Sequence, residues 1–132
     1  MSDQLVVMGS RLRLQSPRHL VRFLRGTRAI NRQLRSSPGL VDSKLRAQFG
    51  KLTFWTLSSW ESEEALQRFA RSGPHAAVVG DLRRRGAMRS GDFAFWTIER
   101  GSRLPRWDEV ERRVNDAVAA RQQPTPEPSR PR

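Results

Sequence analysis

The chain has no cysteine and no tyrosine, only two histidines (His19 and His75) and only two lysines (Lys44 and Lys51) in 132 residues. Without cysteine there is no disulfide, no thiolate nucleophile and no Cys-ligated zinc or iron–sulfur centre. With two histidines and no ordered carboxylate cluster, a multi-ligand metal site and a Ser-His-Asp triad both lack their parts. No phosphate-cradling Gly-rich loop, dinucleotide fingerprint or nucleophile elbow appears. Apolar runs are short. Ala76-Ala77-Val78-Val79 is among the longest, far below the roughly 20 residues that a membrane helix needs. The N-terminus MSDQLVVMGSRLRL lacks the basic start and apolar core of a signal peptide. A cysteine-free chain without a leader suits a reducing compartment, and a cytoplasmic location is expected.

What is present in excess is arginine. Lys+Arg number 25 against 13 Asp+Glu, for a formal net charge of +12. That balance permits nucleic acid or an acidic membrane surface as a partner. The length argues for one domain, expected over residues 1–121. QQPTPEPSRPR, residues 122–132, is Pro-rich and polar and reads as a disordered tail.

The apolar pattern predicts a strand over Leu5–Leu14. Ser16-Pro17 then starts a helix that runs to about Leu34. Leu20, Phe23, Leu24, Thr27, Ile30 and Leu34 share one side of it, and Arg18, Arg22, Arg25, Arg28, Arg32 and Arg35 the other. That arginine stripe reads either as a solvated face or as a docking face for polyanions. Leu40–Phe49 and Leu52–Ser59 form a hairpin about Gly50-Lys51. Glu61–Arg71 is a helix with Glu61, Glu63 and Glu64 in its first turn, where the helix dipole favours carboxylates. Ala76–Arg84 adds further helical turns, Ser90-Gly91-Asp92 reads as a turn, and Phe93–Glu99 is the fourth strand. Pro105 opens a last helix.

The order β-α-β-β-α-β with right-handed crossovers gives an α+β, ferredoxin-like, four-stranded antiparallel sheet with a C-terminal helix. The tripeptide Phe-Trp-Thr occurs twice, at 54–56 and 95–97, on the third and fourth strands. In the order 4-1-3-2 these flank the first strand and run parallel. Phe54 and Phe95 then point to one face, Trp55 and Trp96 to the other. With both main helices on one face, the second face is expected to be bare and apolar. A homodimer through that face follows.

The stretch FWTLSSWESEEALQRFARSGPHAAVV carries the chemistry-bearing residues. His75 is suited to act as a base or to ligate haem iron. It is equally suited to capping the preceding helix through that helix's free carbonyls. Trp55, Trp60 and Trp96 offer flat surfaces to a ligand, or core packing. Trp60, at a strand end, is placed where pocket mouths form.

This stretch resembles the dimeric α/β-barrel superfamily of antibiotic-biosynthesis-monooxygenase-like proteins, and within it the spheroidene-monooxygenase-like small proteins. The shared pattern is a strand ending in Trp, a Ser or Thr near the helix start, Ala and Phe inside the helix and a His after it. Here these are Trp60, Ser62, Ala65, Phe69 and His75. The resemblance implies a monooxygenase-like fold with a pocket between sheet and helices. Trp60, Ser62, Phe69 and His75 would bind a small hydrophobic or aromatic ligand, with His75 and Trp60 as catalytic groups. It implies either no cofactor or haem, with His75 as the iron ligand.

A non-catalytic ligand-binding module on the same fold is a second reading. RNA binding is a third. The element order is that of an RNA-recognition motif, and Arg89–Ile98, RSGDFAFWTI, is similar to its aromatic octapeptide. Yet that peptide lies on the last strand rather than the third, and the first strand has no aromatic on which to stack a base. Nucleic acid is therefore a disfavoured partner for the sheet.

Overall fold

The computed structural model describes residues 3–122. The strands are β1 (Gln4–Leu14), β2 (Leu40–Gln48), β3 (Thr53–Trp60) and β4 (Met88–Glu99). The helices are α1 (Leu20–Arg35), α2 (Glu63–Arg71), α3 (Gly73–Arg84) and α4 (Trp107–Gln122). The sheet order is β2-β3-β1-β4, and all three neighbouring pairs are antiparallel. This is the expected ferredoxin-like sheet, with the two Phe-Trp-Thr strands on either side of β1. The tail expected over 122–132 lies outside the described residues, apart from Gln122, which closes α4.

Register divides the side chains cleanly between two faces. Cα partners Val6↔Trp60, Met8↔Ser58, Ser10↔Thr56 and Leu12↔Phe54 point to one face. Val7, Gly9 and Arg11, opposite Ser59, Leu57 and Trp55, point to the other. α1, α2 and α3 cover the first face. Phe23 of α1 lies on Phe54 with ring centroids 4.4 Å apart. Leu66 and Phe69 of α2 join Trp60, with Val6, Met8, Ile30 and Leu34 around them. Leu82 of α3 joins Leu14, Phe23, Phe54 and Ala87.

The second face is not bare. α4 lies across it, and Val110 and Val114 close a core with Val7, Trp55, Leu57, Ala94 and Trp96. Gly9 allows this close approach. A Cβ there would stand 3.1 Å from both the Trp96 ring and a Val110 methyl. The expectation of an open apolar sheet face is thus corrected. Trp55 and Trp96 are buried on this face by the chain's own last helix, whose Val110 and Val114 seal them. Polar contacts fasten it. Arg11, 8 % exposed, is bonded to Asp92 at 2.9 Å and to Asn115 Oδ1 at 2.8 Å. Arg46 reaches Glu111 at 2.9 Å.

Several boundaries also differ from expectation; α3 begins at Gly73 rather than Ala76, and α4 at Trp107 rather than Pro105. β4 begins at Met88, so Ser90-Gly91-Asp92 is strand rather than turn. The turn-forming composition is overridden by pairing with β1 and by the Arg11–Asp92 ion pair, which holds Asp92 directly across from Arg11. α2 begins at Glu63, because Ser62 caps it by accepting a bond from the Ala65 N–H at 3.2 Å. Glu61 therefore stands outside the helix and pairs with Arg100. No helix among the described residues is long and apolar enough to cross a membrane.

Candidate functional site

Trp60, Phe69 and His75 come together at the α2–α3 corner. Trp60 ends β3 and points under α2. Phe69, in the last turn of α2, meets it with ring centroids 5.3 Å apart. The His75 ring lies 5.0 Å from Phe69. Trp60 is fully buried, and its indole N–H donates to Ser58 Oγ at 2.8 Å. Ser62 stands apart from this corner chemically, since its hydroxyl is committed to the α2 cap.

His75 is held by two local bonds. Its backbone N–H donates to Gln33 Oε1 at 2.7 Å, and its Nδ1 is 3.0 Å from the Ala70 carbonyl. A carbonyl only accepts, so the bond requires the proton on Nδ1. Nε2 then carries the lone pair and makes no hydrogen bond among the described residues. That is the tautomer a base or a metal ligand needs. The same Nδ1 contact satisfies a carbonyl at the end of α2, so capping and a chemical role share one geometry.

Gln33 was not singled out by the sequence. From α1 it donates through Nε2 to the carbonyls of Phe69 (3.1 Å) and Ser72 (2.8 Å), while Oε1 takes the His75 N–H. One amide thus ties the end of α2 and the start of α3 to α1. A lone Gln on a helix gives no signal in a single sequence; only its place opposite the α2–α3 corner reveals it. Beside it a depression of about 280 Å³ is lined by Gln33, Ser36, Ser37, Pro38, Ala65, Arg68, Phe69 and Ser72. It is small, and Ser36, Ser37, Arg68 and Ser72 stand on its rim. Haem requires a broad slot with extended apolar walls, and these residues do not fit it.

A second feature lies on the same sheet face, between the core under Phe23 and the core under Phe69. The register aligns Leu45, Thr56, Ser10 and Phe93 in one row across the four strands, and Ser43, Ser58, Met8 and Phe95 in the next. Ser10, Thr56, Met8 and Ser43 are half-buried, while Leu45, Phe93 and Phe95 are 43–50 % exposed. The helices therefore leave this band partly uncovered. It carries hydroxyls at its centre, where Ser10 Oγ and Thr56 Oγ1 are hydrogen-bonded to each other. Phe93 and Phe95 meet edge to face at 5.2 Å at its β4 end. No charged side chain belongs to these two rows, but the Arg121 guanidinium of α4 lies over Phe93, 4.2 Å from its ring centroid. Through Ser58 Oγ it touches the Trp60 indole, so it adjoins the aromatic corner. Alternation placed Phe95 on this face, but Ser10 and Thr56 look like ordinary strand residues until the register aligns them.

The family model "Domain of unknown function (DUF3291)" matches residues 12–127. The chain belongs to this DUF3291 family. No curated protein matches it significantly. Among solved structures it is similar to SnoaB, a cofactor-independent oxygenase from Streptomyces nogalater, at 17% identity and a TM-score of 0.57. That alignment covers 80% of this chain and 100% of SnoaB. It is similar to an antibiotic biosynthesis monooxygenase at 13% identity, TM-score 0.59, covering 74% of this chain and 99% of the other. A conserved protein from Methanosarcina mazei Go1 aligns at 11% identity, TM-score 0.61, covering 71% and 92%. At these identities the likeness is one of fold: this DUF3291 chain has the fold of the antibiotic-biosynthesis-monooxygenase-like proteins.

Proposed function

We propose that the chain is a small-molecule protein of the monooxygenase-like type. It binds a flat, neutral, hydrophobic or aromatic ligand over the hydroxyl band, against Phe95 and the Trp60–Phe69 corner. The half-covered, uncharged row of Ser10 and Thr56 between two sealed cores carries the reading. An apolar surface with a few convergent polar groups is what such ligands bind.

The chemistry that suits these residues is oxygenation of an activated methylene group, one flanked by a carbonyl or an electron-poor ring. His75 Nε2 takes a proton from the methylene carbon, and the carbanion so formed reduces dioxygen. Overall, one methylene and one dioxygen give one carbonyl and one water. One oxygen atom is retained as the new carbonyl oxygen, and the other leaves as water with the two methylene hydrogens. The substrate supplies the electrons. Ser10 and Thr56 hydroxyls hold the enolate oxygen, and exposed Phe95 offers the face against which the rings stack. The likeness in fold to a cofactor-independent oxygenase supports the reading. A non-catalytic binding protein on the same band is distinguished from it by turnover alone.

The test is oxygen uptake with aromatic substrates that carry an activated methylene, compared among the native chain, His75→Ala and Thr56→Val. Ligand binding is followed in parallel by tryptophan fluorescence. Uptake that disappears in His75→Ala while binding persists supports the oxygenase. Binding without uptake by the native chain leaves a binding protein. Absence of both, or full activity in both variants, sinks the assignment. A haemin titration beside His75→Ala closes the other branch, with no His75-dependent absorbance band expected.

A further inference from the structure

The sequence contains no acidic residue between Asp3 and Asp42, yet it places Arg11, Arg13, Arg18, Arg22, Arg25, Arg28, Arg32 and Arg35 there. A genome that favours arginine over lysine raises Arg content everywhere; it does not remove Asp and Glu from one segment. In the fold this segment is β1 and α1. Arg11 is taken up in the core by Asp92, and Arg22 reaches Asp81 at 3.4 Å. Arg25, Arg28, Arg32 and Arg35 are exposed and have no carboxylate partner among the described residues.

Their spacing of 3, 4 and 3 residues puts all four on one ridge of the helix. The apolar side of α1 faces inward onto Phe54 and the Trp60 core, so the ridge faces outward. The other long helix balances its charge locally. α4 interleaves Asp108, Glu109, Glu111 and Asp116 with its arginines. Four unpaired like charges on one helix repel one another and destabilise it slightly, which is a cost that an anionic partner would remove.

We infer that the outer ridge of α1 docks on the phosphate backbone of duplex nucleic acid. The four guanidiniums span about 15 Å of helix, a length over which one strand of B-DNA carries about four phosphates. Guanidinium pairs with phosphate oxygens through two parallel N–H donors. The ridge has no aromatic side chain, so it has nothing on which to stack unpaired bases, and duplex is favoured over single strand. Only Val21 and Leu24 are exposed aliphatics on α1, too few to anchor an interfacial membrane helix. The contact is independent of sequence and separate from the small-molecule band, which lies on the sheet where the helices leave it partly uncovered.

The experiment compares the native chain with two quadruple variants of equal net charge. One removes the ridge (Arg25→Gln, Arg28→Gln, Arg32→Gln, Arg35→Gln). The other removes exposed arginines on the α4 side (Arg13→Gln, Arg103→Gln, Arg106→Gln, Arg112→Gln). Binding to a labelled random-sequence DNA duplex is followed by anisotropy between about 50 and 200 mM salt. The ridge variant is expected to lower the slope of log K against log salt by about 3 to 4 and to weaken binding at least about tenfold at low salt. The α4-side variant is expected to stay near the native chain. Equal losses in both would reduce the effect to net charge and overturn the inference. So would native binding to equimolar phosphatidylserine–phosphatidylcholine vesicles but not to duplex, or no binding at all. Circular dichroism verifies that both variants fold.

Discussion

Replacing Gln33 tests whether the α2–α3 corner, and His75 with it, is held from α1. Gln33→Ala removes three hydrogen bonds at once and leaves two carbonyls and one N–H without their partner. A net hydrogen bond contributes about 0.5–1.5 kcal/mol. The Ser72 contact is exposed and water replaces part of it, so the three together amount to about 2 kcal/mol. For a domain of this size that is a fall in Tm of about 8 °C. Gln33→Glu separates geometry from volume. It keeps an acceptor for the His75 N–H but turns a carboxylate onto the Phe69 and Ser72 carbonyls. At neutral pH it is expected to lose at least as much as the alanine variant. Stability should return as the carboxyl protonates and regains a donor. Thermal unfolding measures the first effect. Hydrogen exchange at the His75 amide, expected to accelerate in both variants, localises it. A Tm within about 1 °C of native with unchanged exchange at His75 would refute the clamp.

The two indoles at comparable depth give a second test. Trp60→Phe removes a bonded N–H, orphans buried Ser58 Oγ and opens space, a loss of about 2–3 kcal/mol. Trp96 Nε1 is buried without a partner, so Trp96→Phe removes a destabilising donor and should cost less than half as much; denaturant midpoints that reverse this order contradict the assignment. Gly9→Ala pushes a methyl against Trp96 and Val110 and is expected to cost about 1–3 kcal/mol by overpacking, read from the same unfolding curves. Asp81 is held below the usual carboxylate range, first by its hydrogen bond from Arg85 and further by Arg22. Its contribution is therefore present above the ordinary carboxylate range and lost as pH falls through the folded value. Asp81→Asn should flatten that part of the acid limb, and less so in high salt; an unchanged pH profile of Tm rules the pairing out.

Strand order and face assignment were legible because they rest on alternation and on the two Phe-Trp-Thr copies, which are local patterns with only one compatible sheet. Ser16 before Pro17 was readable as a helix start, but the cap at Ser62 was not, because Glu61, Glu63 and Glu64 alike suit a first turn. Long-range partners hid the rest. Ser90-Gly91-Asp92 has the composition of a turn, and nothing near it in sequence announces that Arg11, 81 residues away, will hold Asp92 in a strand. The apolar stripe of α4 was visible, but its destination was not, since a helix stripe does not say which of two sheet faces it will cover. At the site, Trp60, Phe69 and His75 were named together only by the family resemblance, and the fold brings their rings together. Gln33, Ser10 and Thr56 were not legible, because their roles exist only once three separate elements meet.

The repeated Phe-Trp-Thr strands point to where the structure is open. Trp55 and Trp96 flank β1 on one face, opposite Arg11 and Val7, and end alike, 5 % and 9 % exposed, because α4 spans both. Phe54 and Phe95 flank it on the other face, opposite Leu12 and Met8, and end differently, 7 % against 49 % exposed. Phe54, on an inner strand, is roofed by Phe23 of α1. Phe95, on edge strand β4, has no such roof, because α3 packs beside α1 rather than over β4. A phenylalanine held half in water forgoes part of the roughly 1.5–3 kcal/mol that burial would return. The neighbouring Phe93 is also 43 % exposed, with the Arg121 guanidinium over its ring, and both border hydroxyls that face the same opening. If this edge were only the margin of an incomplete helix layer, polar substitution at Phe95 would leave both stability and ligand binding unaltered. If it is the mouth of the band, Phe95→Ser should leave Tm within about 2 °C of native, as expected for a surface position, yet abolish ligand-induced quenching of tryptophan fluorescence.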